Sequence, residues 1–146
     1  MKSLQKGQKL PLEKELPSKN ISFGFNWNQA NISNYDIDLS IMLIGTSGKL
    51  EKEENFVFYN NLASPCNSTK IHNTPFSNYK KTAEINLAKI PSNVSKIIFI
   101  LTIDNGDKLN QRFSEVKDLL VDILDENKNI SLQYKIDGLT QETALM

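Results

Sequence analysis

Ile21-Ser22-Phe23-Gly24-Phe25-Asn26-Trp27 is the stretch whose reading decides the fold. Large apolar side chains alternate here with small or polar ones, a period of two that an extended strand sorts onto opposite faces. Ile21, Phe23, Phe25 and Trp27 then point to a core, and Ser22, Gly24 and Asn26 point away from it. The same period returns at Ile37, Leu39, Ile41 and Leu43, with Asp36, Asp38 and Ser40 on the other face. The two apolar sets are predicted to share one core. Gly45-Thr46-Ser47-Gly48 supplies a turn before the β-branched and aromatic run Phe56-Val57-Phe58-Tyr59, which reads as a hairpin-like pair with the preceding strand. Lys96 to Ile103 is nearly all apolar and predicts a strand covered on both faces. Asp104-Asn105-Gly106-Asp107 breaks that strand with turn chemistry. Phe113 to Val116 predicts a helical turn, Leu119 to Leu124 another buried strand, and Ile130, Leu132, Tyr134 and Ile136 a last alternating one.

Between Tyr59 and Ile85 the period fails, through Asn60, Pro65, Cys66, His72, Pro75 and Tyr79. A loop of that length in a compact domain is functional or disordered. Short strands punctuated by turns, with no long amphipathic helix and no repeat, predict an all-β sandwich or barrel, which periodicity alone does not separate.

A chain of 146 residues encloses one core, so residues 1–146 are read as a single domain. Lys plus Arg and Asp plus Glu both number 17, which leaves no net field to draw in nucleic acid or an anionic membrane. No segment approaches the roughly 18 apolar residues that span a bilayer, and Met1 to Leu16 lacks the apolar stretch of a secretory signal. Cys66 is the only cysteine, which excludes an internal disulfide and a multi-cysteine zinc site and suits a reducing cytoplasm. Asn-X-Ser/Thr triplets at Asn20, Asn31, Asn67, Asn93 and Asn129 read as accidents of an Asn- and Ser-rich chain.

Particular residues carry more than the pattern. Trp27, the run Asp36-Ile37-Asp38-Leu39-Ser40, Phe58-Tyr59-Asn60-Asn61 with Ser64, Ile90-Pro91 before Ile97-Ile98-Phe99, and Thr143-Ala144 stand in an order and spacing that resembles the TerD, or tellurium-resistance, family. The opening Leu4-Gln5-Lys6-Gly7-Gln8-Lys9-Leu10-Pro11-Leu12 is similar to that family's start. The resemblance implies a cytoplasmic two-sheet β-sandwich, tied to tellurite and other chemical stress, that holds calcium in acidic loops and works by binding rather than catalysis. Two departures stand out. After His72, where calcium-binding members are acidic, the chain reads Asn73-Thr74-Pro75-Phe76-Ser77-Asn78-Tyr79-Lys80-Lys81. Family members also continue for roughly forty residues past the equivalent of Thr143-Ala144, so an open sheet edge and a homo-oligomer built on it are expected.

Asp36 and Asp38, two apart on a strand, send both carboxylates to one side, and like charges so crowded call for a cation. With the Asn60 amide they supply about half of the 6–8 oxygens calcium takes; Asp104 and Asp107 could add acids if the fold brings them close. Lys80 and Lys81 would oppose the ion, so binding in the ~10⁻⁴ to 10⁻³ M class is expected. Protein partners are expected beside calcium. Neighbouring carboxylates on one strand cannot straddle a glycosidic bond. Cys66 and His72 share a loop, but no oxyanion motif accompanies them, and the scattered glycines form no phosphate-binding loop. Phe25 and Trp27 belong to the core rather than to a base-stacking platform.

Overall fold

The computed structural model describes residues 1–30 and 32–146, so the Asn31 triplet lies outside the described residues. In chain order the elements are β1 (Lys2–Leu4), α1 (Leu12–Glu15), β2 (Asn20–Asn28), β3 (Ile37–Gly45), β4 (Phe56–Val57), β5 (Thr69–Ile71) and β6 (Lys81–Asn86). Then follow β7 (Val94–Ile103), α2 (Gly106–Leu109), β8 (Lys117–Leu124), β9 (Ile130–Lys135) and β10 (Ala144–Leu145), with single 3₁₀ turns at Glu53–Asn55, Leu87–Lys89 and Phe113–Glu115. None of the described helices is long and apolar enough to cross a membrane.

The strands form two sheets, one ordered β1-β9-β8-β2-β6-β5 and the other β10-β7-β3-β4. The fold is therefore a two-sheet β-sandwich. Alternation explains why: β2 and β3 each send one apolar row inward, and only a facing sheet can cover both rows at once. Phe23 of β2 meets Phe99 of β7 edge-on at 4.5 Å between ring centroids, and Phe25 meets the same ring at 5.9 Å. Phe25, Trp27, Ile37, Leu39, Ile41 and Leu43 join Val57 and Phe113 in one buried cluster. Ile21 departs from that set and packs with Leu16 and Leu132 in a second buried cluster.

Three expectations need correction. β7 is covered on one face only: Lys96 is exposed and Ile98 and Ile100 are half-buried on the outer side, since a two-layer sandwich puts that side against solvent. The aromatic run stops pairing at Val57, because Phe58 and Asn61 close a tight turn through reciprocal backbone hydrogen bonds of 3.0 and 2.9 Å. The segment between Tyr59 and Ile85 is not merely a loop; β5 pairs with β6 inside it, and residues 72–80 lie across the outer face of the larger sheet. At the edge of the smaller sheet, Ala144 pairs with Thr102 and Leu145 with Leu101, so β10 covers the far end of β7.

Candidate functional site

The acidic cluster is built by the register of β3 against β7. Ile37 pairs with Ile103, which sets the residue before β3 beside the residue after β7. The Asp104 N–H donates to the Asp36 carbonyl at 2.8 Å. Ile37 and Leu39 are buried, so Asp38 between them points outward, next to Asp36. Partial burial, then the charge of Asp36 and a hydrogen bond between the two carboxyls, push Asp38 up to about 6; Asp104 adds to the rise and Lys81 opposes it. Like charge this close raises the cost of ionising Asp38, and Lys81 offsets that cost only in part.

The other sequence-derived ligands fare differently. Asp107 lies in the first turn of α2 and pairs with Arg112 at 3.2 Å. Asn60 sits exposed at the tip of the Phe58–Asn61 turn, and among the described residues no hydrogen bond ties its amide to the aspartates. Lys81 is half-buried and near enough to be felt by Asp38, yet it makes no ion pair among the described residues; Lys80 is exposed, and its N–H donates to the Phe25 carbonyl at 2.9 Å. Among the described residues no three His, Cys, Asp or Glu side chains converge closely enough to hold a metal. The arrangement is a carboxylate pair with a third acid nearby, too few side-chain ligands for a closed protein cage.

A second polar cluster escaped the sequence reading. On the outer face of the six-stranded sheet Asp122 is buried, and both its oxygens are bonded: Oδ2 accepts from the Tyr79 hydroxyl at 2.6 Å and Oδ1 from the Gln133 amide at 2.7 Å. The carboxylate and burial together hold the Tyr79 phenol well above its ordinary range, burial being the larger cause. Tyr79 lies flat over Gly24, where a Cβ would come within 2.6 Å of the ring. Phe76 continues the strap, touching Tyr79 and His72 edge-on, with the Lys128 ammonium 4.9 Å above its ring. The signal was present in Gly24, since a glycine inside a strand marks close approach by another group.

Cys66 and His72 are not brought into a nucleophile–base pair. The Cys66 thiol bonds Ser68 at 3.1 Å and Ser64 at 3.5 Å. Burial pushes the thiol up, but its hydrogen bonding with Ser68 and Ser64 outweighs that and leaves it below the usual value. His72 uses Nδ1 on the Thr82 hydroxyl at 2.8 Å and turns Nε2 toward Glu84 at 3.7 Å.

Against known families, the TerD domain matches residues 1–146. The chain belongs to the TerD family. This TerD protein is 31% identical over 153 residues to the tellurium resistance protein TerD of Serratia marcescens, with 99% of this chain and 80% of that protein covered. It is 29% identical over 155 residues to general stress protein 16U of Bacillus subtilis, with the same coverage. Among solved structures it superposes on a homologue of the telluride resistance protein TerD from Streptomyces coelicolor with a TM-score of 0.55 at 12% identity, over 76% of this chain and 68% of that one. It superposes on SAV2460, a protein of unknown function, with a TM-score of 0.65 at 13% identity, over 86% of this chain and 75% of that one. Those two likenesses concern the fold. Several of the TerD residues quoted from the sequence fall at structural junctions: Asp36 to Ser40 opens β3, Ile90-Pro91 precedes β7, and Thr143-Ala144 leads into β10, while Trp27 and Ile97-Ile98-Phe99 lie inside β2 and β7.

Proposed function

We propose that this TerD protein serves a cytoplasmic stress response, to tellurite or related chemical insult, by binding and not by catalysis. Its Asp36–Asp38 pair takes calcium weakly, with Asp104 adding negative charge. The observation that carries this reading is the crowded carboxylate pair at the start of β3, where the Asp38 carboxyl is pushed up to about 6 by burial and by Asp36. A divalent cation relieves that crowding, whereas Lys81 relieves it only in part. The names of the relatives support the stress role, and the single free Cys66 suits a reducing compartment.

Thermal melts at micromolar and millimolar calcium test the site, in wild type and in the double variant Asp36→Asn with Asp38→Asn. Stabilisation is expected only at millimolar calcium, following RT ln(1 + [L]/Kd), and only in wild type. Stabilisation already complete at micromolar calcium would show a tighter site than two carboxylates provide. No effect at any concentration favours the second reading, a calcium-independent interaction module on the same sandwich. That alternative has its own support in the uneven width of the two sheets.

A further inference from the structure

The two sheets differ on their outer faces. The larger is crossed by residues 72–80, which close over Gly24 and Asp122. The smaller carries an apolar row instead. Val57 is fully buried, so the alternation of an extended chain turns Phe56 and Phe58 to the opposite side, where their rings stack at 4.8 Å. Met42 pairs with Phe56 on one flank and with Ile98 on the other, so the row runs across β4, β3 and β7, with Ile100 beside it. These side chains are half-buried, and none of them belongs to either buried cluster or packs against one.

At the β4 end the row finishes in a fixed aromatic. Phe58 and Asn61 close their turn on each other, and the Asn61 amide donates to the Phe56 carbonyl at 2.9 Å and to the Glu54 carbonyl at 3.2 Å. Tyr59, at the tip, is 72% exposed, with its ring edge-on to Phe58 at 5.2 Å. A large ring held in place while exposed has already lost the freedom that binding would otherwise remove. Beside it the exposed stretch 49–54 sets Glu51, Glu53 and Glu54 against Lys49 and Lys52, and among the described residues Glu53 and Glu54 make no ion pair. The opposite border of the row carries Lys96, paired with Ile44.

We propose that the outer face of the smaller sheet docks a segment of another protein, with arginine over Tyr59 and Phe58 and aliphatic side chains along Phe56, Met42 and Ile98. The ring faces and the carboxylates at the β4 end favour the same charge, and a guanidinium is the planar cation that stacks on a ring while it bonds a carboxylate. A second copy does not fit. Arg112 is the only arginine of the 146 residues, and it is held by Asp107 and by the Gly106 and Gln111 carbonyls. Pairing β4 with β4 would also set Glu51, Glu53 and Glu54 against their own copies. Docking here is independent of the cation site, since Asp36 and Asp38 stand at the start of β3.

The test uses the full chain, without calcium, and a synthetic acetyl-Arg-Arg-Leu-Val-Leu-amide, followed by NMR at the Tyr59 ring and the Met42 and Ile98 methyls. Millimolar peptide should shift all three. Tyr59→Ala, a change at an exposed tip, should weaken binding roughly fivefold or more as read at Met42 and Ile98, and so should Glu53→Gln with Glu54→Gln. Asp36→Asn with Asp38→Asn should leave it unchanged. Glutamates in place of the peptide's arginines, or serines in place of its aliphatic residues, should abolish it. No shift at millimolar peptide, equal shifts from the glutamate peptide, or loss of binding in the Asp36 and Asp38 variant overturns the proposal. So does concentration-dependent broadening of the same signals without peptide, because a second copy then covers the face. Shielding of those signals from a soluble paramagnetic probe in the free monomer overturns it too, because the protein's own chain then covers the face.

Discussion

Asp122 in β8 and Asp38 in β3 stand in similar places, each on a strand and each directed away from the core. Asp122 is roofed by the strap that carries Tyr79, and a fixed donor meets each of its oxygens. Asp38 is less deeply covered, and its neighbours are acids: Asp36 in contact and Asp104 close by, with Lys81 the opposing charge. A carboxylate whose oxygens are all bonded is a structural clasp. One crowded by like charge is costly to ionise.

The core common to both regions sets the scale for testing this contrast. Truncating Trp27, 8% exposed and part of the main cluster, to Ala should cost about 3–5 kcal/mol in urea melts and loosen both regions in one transition. Separate transitions for the strap and the acidic end would break the picture of a single cooperative sandwich. Next in size is Asp122→Ala, which strands the Tyr79 hydroxyl and the Gln133 amide and should cost roughly 2–4 kcal/mol. The matching Asp38→Ala removes no fixed donor's partner, so an equal loss there would erase the distinction. Gly24→Ala places a methyl against the Tyr79 ring and should cost about 1–3 kcal/mol, with exposure of Tyr79 detectable by its fluorescence or ring resonances.

The smallest effect has the opposite sign. Asp38 is raised to about 6 in the fold, above the value of about 3.9 for an unfolded aspartate, so between those values the folded chain holds the extra proton. Stability from this group is full below pH ~4 and is lost as pH rises through ~6. Asp38→Asn should flatten that decline and gain less than about 1 kcal/mol at pH 7, because solvent still screens the pair. A wild-type stability that rises across this window and falls in the variant would show Asp38 to be clasped like Asp122.

Much of this was legible beforehand. The alternation in Ile21 to Trp27 and Ile37 to Leu43 identified β2 and β3 and the rows they bury, because six or more residues at period two leave little choice of face. Asp36 and Asp38 were legible as a pair for the same reason. β1, β5 and β10 were not, since two or three residues carry no measurable period. The strap was equally silent: Phe76 and Tyr79 lie in irregular chain and contact residues of other strands.

The sequence by itself determined β2 and β3, their inward faces, the crowded aspartates and the family, because alternation and local spacing are properties of neighbouring residues. Only the tertiary structure decided that Asp104 joins the pair while Asp107 is taken by Arg112 and Asn60 stays at its turn, that Tyr79 closes over Gly24 onto Asp122, and that β10 pairs with the far end of β7. Each of these depends on strand register and sheet order. Those are set by how two whole sheets bury their apolar rows together, a condition no single segment contains.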